Sequence, residues 1–557
     1  MRYLAKSVAV LILLAGCSAF GARHTVAQTP SAERRVPRAG STARDSALHL
    51  LNRITYGPRP GDVDRVLALG IDRYIALQLD PDRIPDDAVR PHLERLQVLR
   101  MSTGELARVY GRERRDRIER QRAMAADSGN RMAPSPGPDR RAGTRRYVAE
   151  LQQAVMVRAV LSERQLNEVL ADFWTNHFNV FLGKGPVRTL MKEYIEEAVR
   201  PHVLGSFEAL LIATATSPAM LVYLDNAQSV AEGAEPPRLA GGPADRRTGG
   251  RNARADSLRE RLAARMPRGL NENYARELLE LHTLGVDAGY TQTDVENVAR
   301  ILTGWGVRRG GDAPQFTFNA WAHDRGAKQV LGRAFPEGRG MDEGLELLRW
   351  LAAHPSTMRH VSTRLCARFV ADDPPDGCID AAIAAWEAHD GDLRQVVRAV
   401  LSSPEFWSPS VRGGKTKTPL EFVASAVRAL GAAPDTTLAL AQVTRRLGQP
   451  LFLESAPTGY AERAESWVNS GALLERLNVA MALAAGRLPG VRPGVPVHTE
   501  GDAGELVATV NTAILSGAGG AETLRVMRER AAASPTEAAA RAVVLGLALG
   551  SPEFQRQ

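Results

Sequence analysis

The stretch Asn271-Glu-Asn-Tyr-Ala-Arg-Glu-Leu-Leu-Glu-Leu-His-Thr-Leu-Gly285 reads as a helix with its own start and its own stop. Asn271 or Asn273 can cap the first turn, Glu272 and Glu277 place negative charge where a helix dipole favours it, and Gly285 can end the run. At helical spacing Tyr274, Leu278 and Leu281 share one face, and Asn273, Arg276, Glu277, Glu280 and Leu284 share the adjoining one. One face asks for a core and the other for polar partners. Arg276 and Glu280, four apart, also fit the plainer reading of a solvated intrahelical pair.

Working outward, helical spacing recurs along most of the chain. A helical pattern runs over 148–161. Leu166, Leu170, Phe173, His177 and Val180 then keep helical intervals, predicting a helix over 166–181 with His177 on its apolar side. Further helices are expected at 187–200, 204–216, 341–353, 355–371, 378–389 and 392–402, and Thr293 with Glu296 has the form of a capping box. Only 316–332 reads as short strands or irregular loop. The fold class is therefore mainly α: a multi-helix globular assembly with little β and two long low-complexity insertions, at about 108–146 and 227–268. The phrase Ser-Pro-Glu-Phe closes an apolar helix twice, at 403–406 and 551–554.

The formal charge of +8 invites a nucleic-acid reading, but the segment 108–146 alone carries twelve Arg against five acidic residues, which is nearly the whole excess. With six Lys against sixty-five Arg and no nucleic-acid-binding motif, no nucleic-acid partner is expected. Arg2 and Lys6 precede the apolar run Val8-Ala-Val-Leu-Ile-Leu-Leu14, too short to span a bilayer and suited to a secretory signal. Leu14-Ala-Gly-Cys17 resembles a bacterial lipobox, in which Cys17 is acylated, the alternative being ordinary cleavage after a small residue such as Ala22 or Ala27. Residues 1–17 are then a lipoprotein-type signal peptide and 18–41 a flexible tether, followed by a helical domain over 42–480 and a helical extension over 481–557. The expected location is the cell envelope, on the outer membrane or its periplasmic face, with the membrane as a partner through the lipid anchor. In that oxidising setting Cys366 and Cys378 suggest a disulfide more than a metal site.

Several phrases occur together in a fixed order: Asp172-Phe-Trp-Thr-Asn-His-Phe178, Tyr223-Leu-Asp-Asn226, the stretch 271–285, Leu302-Thr-Gly-Trp305, His323-Asp324 with Lys328, His354-Pro355, Gly391-Asp-Leu-Arg394 and Ser403-Pro-Glu-Phe406. Over roughly 45–480 they resemble the bacterial family called domain of unknown function 1800. The resemblance implies an exported, largely helical protein, often encoded beside a second secreted family, domain of unknown function 1501, which makes that family a possible partner. It implies no particular activity.

The sequence holds no His-Glu-x-x-His, Gly-x-Ser-x-Gly, P-loop or dinucleotide fingerprint, which lowers the odds of the commonest hydrolases and of nucleotide enzymes. The candidate catalytic residues are Asn176, His177, Arg276, Glu277 and His323, expected to meet between the 166–181 helix and the 272–284 helix. His177, Glu277 and His323, with His282 and Asp324 beside them, have the residue types of a zinc- or manganese-like site, so a divalent metal is a possible cofactor. Alternatively Asn176 and Arg276 neutralise a substrate carboxylate while His177 or Tyr274 exchanges protons, as in acid–base cleavage of an acidic envelope polymer. A third reading makes the same residues, with Trp174 and Trp305, a buried polar network that holds helices in register for an assembly or binding role.

Overall fold

The computed structural model describes residues 42–126, 143–234, 269–308, 313–492, 494 and 502–557. The signal segment, the tether, Cys17 and most of the second insertion lie outside them. The body over 43–557 is one compact helical unit. Its strands among the described residues form three antiparallel two-stranded pairs: the hairpins Trp305–Arg308 with Gln315–Phe318 and Lys328–Val330 with Arg333–Phe335, and the sequence-distant pair Ala433–Pro434 with Val491–Arg492. No helix among the described residues is long and apolar enough to cross a membrane.

The helix Gln165–His177 runs through the core, burying Leu166, Val169, Leu170, Phe173, Trp174 and His177. The Trp174 indole N–H donates to the Val203 carbonyl at 3.1 Å, so its only polar atom is satisfied at full burial. This helix stops four residues earlier than its spacing predicts. Asn179 donates to the carbonyls of Glu454 and Ala456, and the Leu182 N–H donates to the Phe452 carbonyl, drawing the chain into the 450–462 loop instead of another turn.

The stretch 271–285 departs from regularity in a more consequential way. It is α-helical only over Asn273–Glu277 and then widens into a π-helical turn, Leu278–His282. The extra residue rotates everything after it, so Leu281 is only half-buried while His282 and Leu284 enter the core. Asn271 accepts from the Asn273 N–H at 3.0 Å, and Gly285, at φ 88°, reverses the chain with its N–H on the Leu279 carbonyl. The next helix, Gln292–Ile301, is capped by a box made of Thr291 and Asp294, two residues before the expected Thr293 and Glu296.

The first insertion also differs from its compositional reading. Thr103–Ala126 is a helix, and only 127–142 of the Arg-rich segment lies outside the described residues. Ser102 and Glu105 exchange hydrogen bonds at its start. Thr103, Gly104 and Leu106 are buried against the body, and the following Arg, Glu, Ala and Gln residues are strong helix formers.

Helices after residue 480 pack on those before it. Glu537–Gly550 lies along Ser470–Ala484, close enough that a Cβ on Gly546 would sit 2.3 Å from the Met481 sulfur. Cys366 and Cys378 form a disulfide, with Cα atoms 6.2 Å apart, that ties the helix Pro355–Phe369 to the helix Asp376–Ala388. Contacts distant in sequence clamp the N-terminal helix Thr42–Ile54: His49 Nε2 donates to the Phe406 carbonyl at 2.8 Å and Arg53 to the Val411 carbonyl at 2.5 Å. Just beyond it, Arg428 Nε donates to the Gly57 carbonyl at 2.6 Å.

Candidate functional site

On the helix Pro355–Phe369, His360, Arg364 and Arg368 recur every four residues and so form one stripe. The stripe faces the helix Gln165–His177, with the Arg364 guanidinium 5.9 Å from the Phe173 ring, and at its other end meets the π turn, where His360 Nε2 donates to the Leu281 carbonyl at 3.2 Å. Asp172 and Asn176, also four apart, border the seam from the opposite helix. The 450–462 loop closes one side. Asn176 holds it with both ends of its amide, donating to the Tyr460 carbonyl at 2.8 Å and accepting from the Tyr460 N–H at 2.7 Å. Gly459, at φ 70°, lies so close that a Cβ there would come within 2.5 Å of Asn176 Oδ1, and only glycine fits.

The charges of this seam are unequal in their partners. Arg368, 4% exposed, pairs with Glu421 and lies 3.6 Å from Glu462. Glu421 also accepts from the Thr418 N–H at 2.8 Å and from Gln557 at 3.0 Å. Burial opposes charge on Glu421, but Arg368 and these donors outweigh it and hold its carboxyl down at about 2. Asp172 is partly exposed and has none of this support: burial pushes its carboxyl up to about 7, Arg368 opposes, and the nearby carboxylates Glu462 and Glu421 push the same way as burial. Arg364 makes no ion pair among the described residues, and burial depresses its pKa with Glu462 opposing. The seam thus offers a carboxyl pushed toward neutrality, with Arg368, Glu462 and Glu421 as the charges acting on it, and farther along the same stripe a guanidinium without an ion-pair partner among the described residues.

Three histidines line the inner end. The ring centres of His282 and His360 lie 6.4 and 6.1 Å from that of His177, and His177 Nε2 donates to the His282 carbonyl at 3.2 Å. Burial lowers all three, with Arg364 adding to it: His282 to about 3, His360 to about 4, and His177 far below its ordinary value. These rings are neutral spacers at ordinary pH. The buried Nδ1 of His177 and Nε2 of His282 have no hydrogen-bond partner among the described residues.

The five residues singled out in the sequence do not share one site. His177 is in the seam, packed against the π turn as neighbouring apolar stripes require. Asn176 is there too, but its amide is spent on the loop backbone and so does not neutralise a substrate carboxylate. Arg276 points away, bonding Glu272 at 3.3 Å and Gln292 at 2.9 Å, so its helical partner is Glu272 and not Glu280. Glu277 is half-buried, raised first by burial and then by Glu280, and makes no ion pair with His177 or His323 among the described residues. His323 belongs to a different cluster. There Lys328 donates to Glu343 at 2.8 Å and to the Asp324 carbonyl, His323 Nε2 lies 3.3 Å from Glu343, and His323 Nδ1 donates to the Thr303 carbonyl at 2.9 Å. Arg300 grips Asp324 through two nitrogens, at 2.7 and 3.2 Å. Accordingly His177, Glu277 and His323 do not converge on a metal, and no group of three or more His, Cys, Asp or Glu among the described residues is placed to hold one.

Arg364, Arg368, Glu421 and Glu462 carry the seam's electrostatics and are not apparent from sequence, although Asp172 stands in the phrase that contains Asn176 and His177. The four-residue spacing of His360, Arg364 and Arg368 was the available signal.

The family described as protein of unknown function (DUF1800) matches residues 49–556. The chain belongs to that family. The match takes in both faces of the seam and runs through the C-terminal helices to Phe554. No curated protein and no solved structure matches the chain.

Proposed function

We propose that this DUF1800 protein is an exported, lipid-anchored envelope protein whose seam between Gln165–His177 and Pro355–Phe369 performs acid–base cleavage of an anionic envelope or extracellular polymer. The observation that carries the reading is Asp172, a partly exposed carboxyl held near neutrality on the seam that also carries Arg364, which makes no ion pair among the described residues. A group with that pKa can donate a proton to a leaving oxygen and recover it from water at physiological pH. Arg364 supplies a planar fork for a substrate carboxylate or phosphate. The Arg368–Glu421 pair fixes the local field, and the Asn176–Tyr460 clamp holds the loop that carries Glu462.

Acidic polymer isolated from the envelope, incubated with purified protein, should release soluble fragments with the wild type and with Arg276→Ala, and none with Asp172→Asn or Arg364→Gln. Wild-type cleavage by Asp172→Asn would sink the catalytic reading. If no form cleaves, and the native protein instead crosslinks to a secreted partner of the domain of unknown function 1501 family, the seam serves a non-catalytic assembly role. The anchor rests on Leu14-Ala-Gly-Cys17 and is tested by fractionation: Cys17→Ser should move the protein from the membrane to the soluble fraction, and a wild type already soluble and without lipid label would refute it.

A further inference from the structure

The helix Thr103–Ala126 does more than cover the body. With Val187–Glu193, Pro218–Tyr223 and the strand Trp305–Arg308 it encloses an open groove of about 580 Å³, within the range of small-molecule sites. The floor is apolar, with Leu190 and Val222 3% and 9% exposed, and Val307 and Pro314 extend it. The rim is basic. Arg108, Arg112 and Arg115 recur at helical spacing along it, are all exposed, and form no salt bridge among the described residues.

Several arginines of the body are matched instead. Arg59, Arg158, Arg200, Arg300 and Arg428 each meet a carboxylate. Glu113, on the same helix as the rim, bonds the Thr144 N–H at 2.9 Å and its hydroxyl, and so faces away from the three arginines. Three guanidiniums in a row repel one another unless an anion lies between them. An apolar trough under such a row matches a molecule with one acidic head and one hydrocarbon chain: the head takes the charge-assisted hydrogen bonds and the chain covers the floor. An acidic polysaccharide would use the rim and leave Val307 and Pro314, the more open part of the floor, wet. We infer that this groove binds a long-chain fatty acid, its carboxylate on Arg108, Arg112 and Arg115 and its chain on Leu190, Val222 and Val307.

The probe is cis-parinaric acid, a fatty acid that fluoresces when its chain leaves water, titrated into the full-length protein. The expected result is saturable binding of one molecule per chain, weakened at least tenfold in Arg108→Ala/Arg112→Ala/Arg115→Ala and unchanged in Arg364→Gln. Because those arginines are exposed, the triple variant should keep the wild-type circular dichroism spectrum. Val222→Trp, which fills the floor, should also weaken binding, and the corresponding uncharged alcohol should bind at least tenfold less tightly than the acid. Absence of saturable binding, equal affinity of the triple variant, or equal affinity for the alcohol would each overturn the inference. So would sedimentation of the protein with phosphatidylglycerol vesicles that is lost in the triple variant while parinarate affinity is unchanged, since the row would then read a membrane surface.

Discussion

The cluster around Lys328 and the cluster around Asp172 differ in how well their charges are matched. Around Lys328 every charge has a counterpart: Lys328 meets Glu343, Arg300 meets Asp324, and the side chains of Lys328, Glu343 and His323 are at most 1% exposed. Around Asp172 the books do not balance, because its nearest guanidinium, Arg368, is already held by Glu421 with Glu462 beside it. Nature's usual rule for buried charge is to pair it or neutralise it. The first cluster pairs; the second leaves one carboxyl to take up a proton. A matched cluster holds elements together, whereas a mismatched one at the edge of solvent has chemistry left over.

The largest expected effect comes from unbalancing the sealed cluster. Glu343→Ala leaves the buried Lys328 ammonium with only Asp324, whose carboxylate lies 3.9 Å away and is held by Arg300, and should cost about 3–5 kcal/mol, read from denaturant unfolding. A loss below about 1 kcal/mol would mean that water reaches Lys328 and that the two clusters are not different in kind.

A smaller loss should follow from freeing the helix that carries Arg364 and Arg368. Cys366 lies between them, and Cys366→Ser/Cys378→Ser removes a link that spans twelve residues of sequence. The double variant should lose roughly 2–3 kcal/mol. Because the disulfide braces only one cluster, amide exchange should rise along Pro355–Phe369 and stay unchanged around Lys328. Equal loosening of both would erase the distinction.

The third effect has the opposite sign. The Asp172 carboxyl moves from its ordinary 3.8 to about 7 on folding, so between those values the folded chain holds a proton that the unfolded chain has lost. Stability therefore falls as pH rises through that window, and the full penalty stands above pH 7. Asp172→Asn, which cannot ionise, should be more stable than the wild type by ~1–3 kcal/mol above pH 7, the partial exposure of the site limiting the gain. The difference in melting temperature should grow from pH 4 to 7 and then level off. A variant that is less stable at pH 8, yet still inactive, would move Asp172 from the chemistry to the scaffold.

The helical class was legible in the sequence because period and capping are local properties: Leu166, Leu170 and Phe173 declare a buried face without reference to any other segment. The strands near 316–332 were legible for the same reason. Of the five candidates, two, Asn176 and His177, lie in the seam. Asn176 and His177 sit where an apolar stripe meets polar residues, but Glu421 looks like one end of a capping box with Thr418, which it also is, and only the packed chain reveals Arg368 on its other oxygen. Arg276 and Glu277 misled although they lie on the regular turn before the π segment: a polar face does not say which neighbour it meets, and theirs are Glu272, Gln292 and Glu280, outside the seam; the π turn at Leu278–His282 changed only which later residues look inward. The Arg-rich helix was hidden by its composition, since its start signal, Ser102 with Glu105, is four residues long and its polar length is not.

The bonds from His49, Arg53 and Gly57 to Phe406, Val411 and Arg428 also set a clock. They join positions separated by 357 to 371 residues, so the first helix has no lasting home until most of the chain is present. Closure over such a span comes late and slowly, and the early segments must wait with His49 and Arg53 solvated. If the chain is exported from its N-terminus, as proposed, that delay would keep the leading part unfolded during passage and make arrival of the region near Arg428 the moment at which folding can finish.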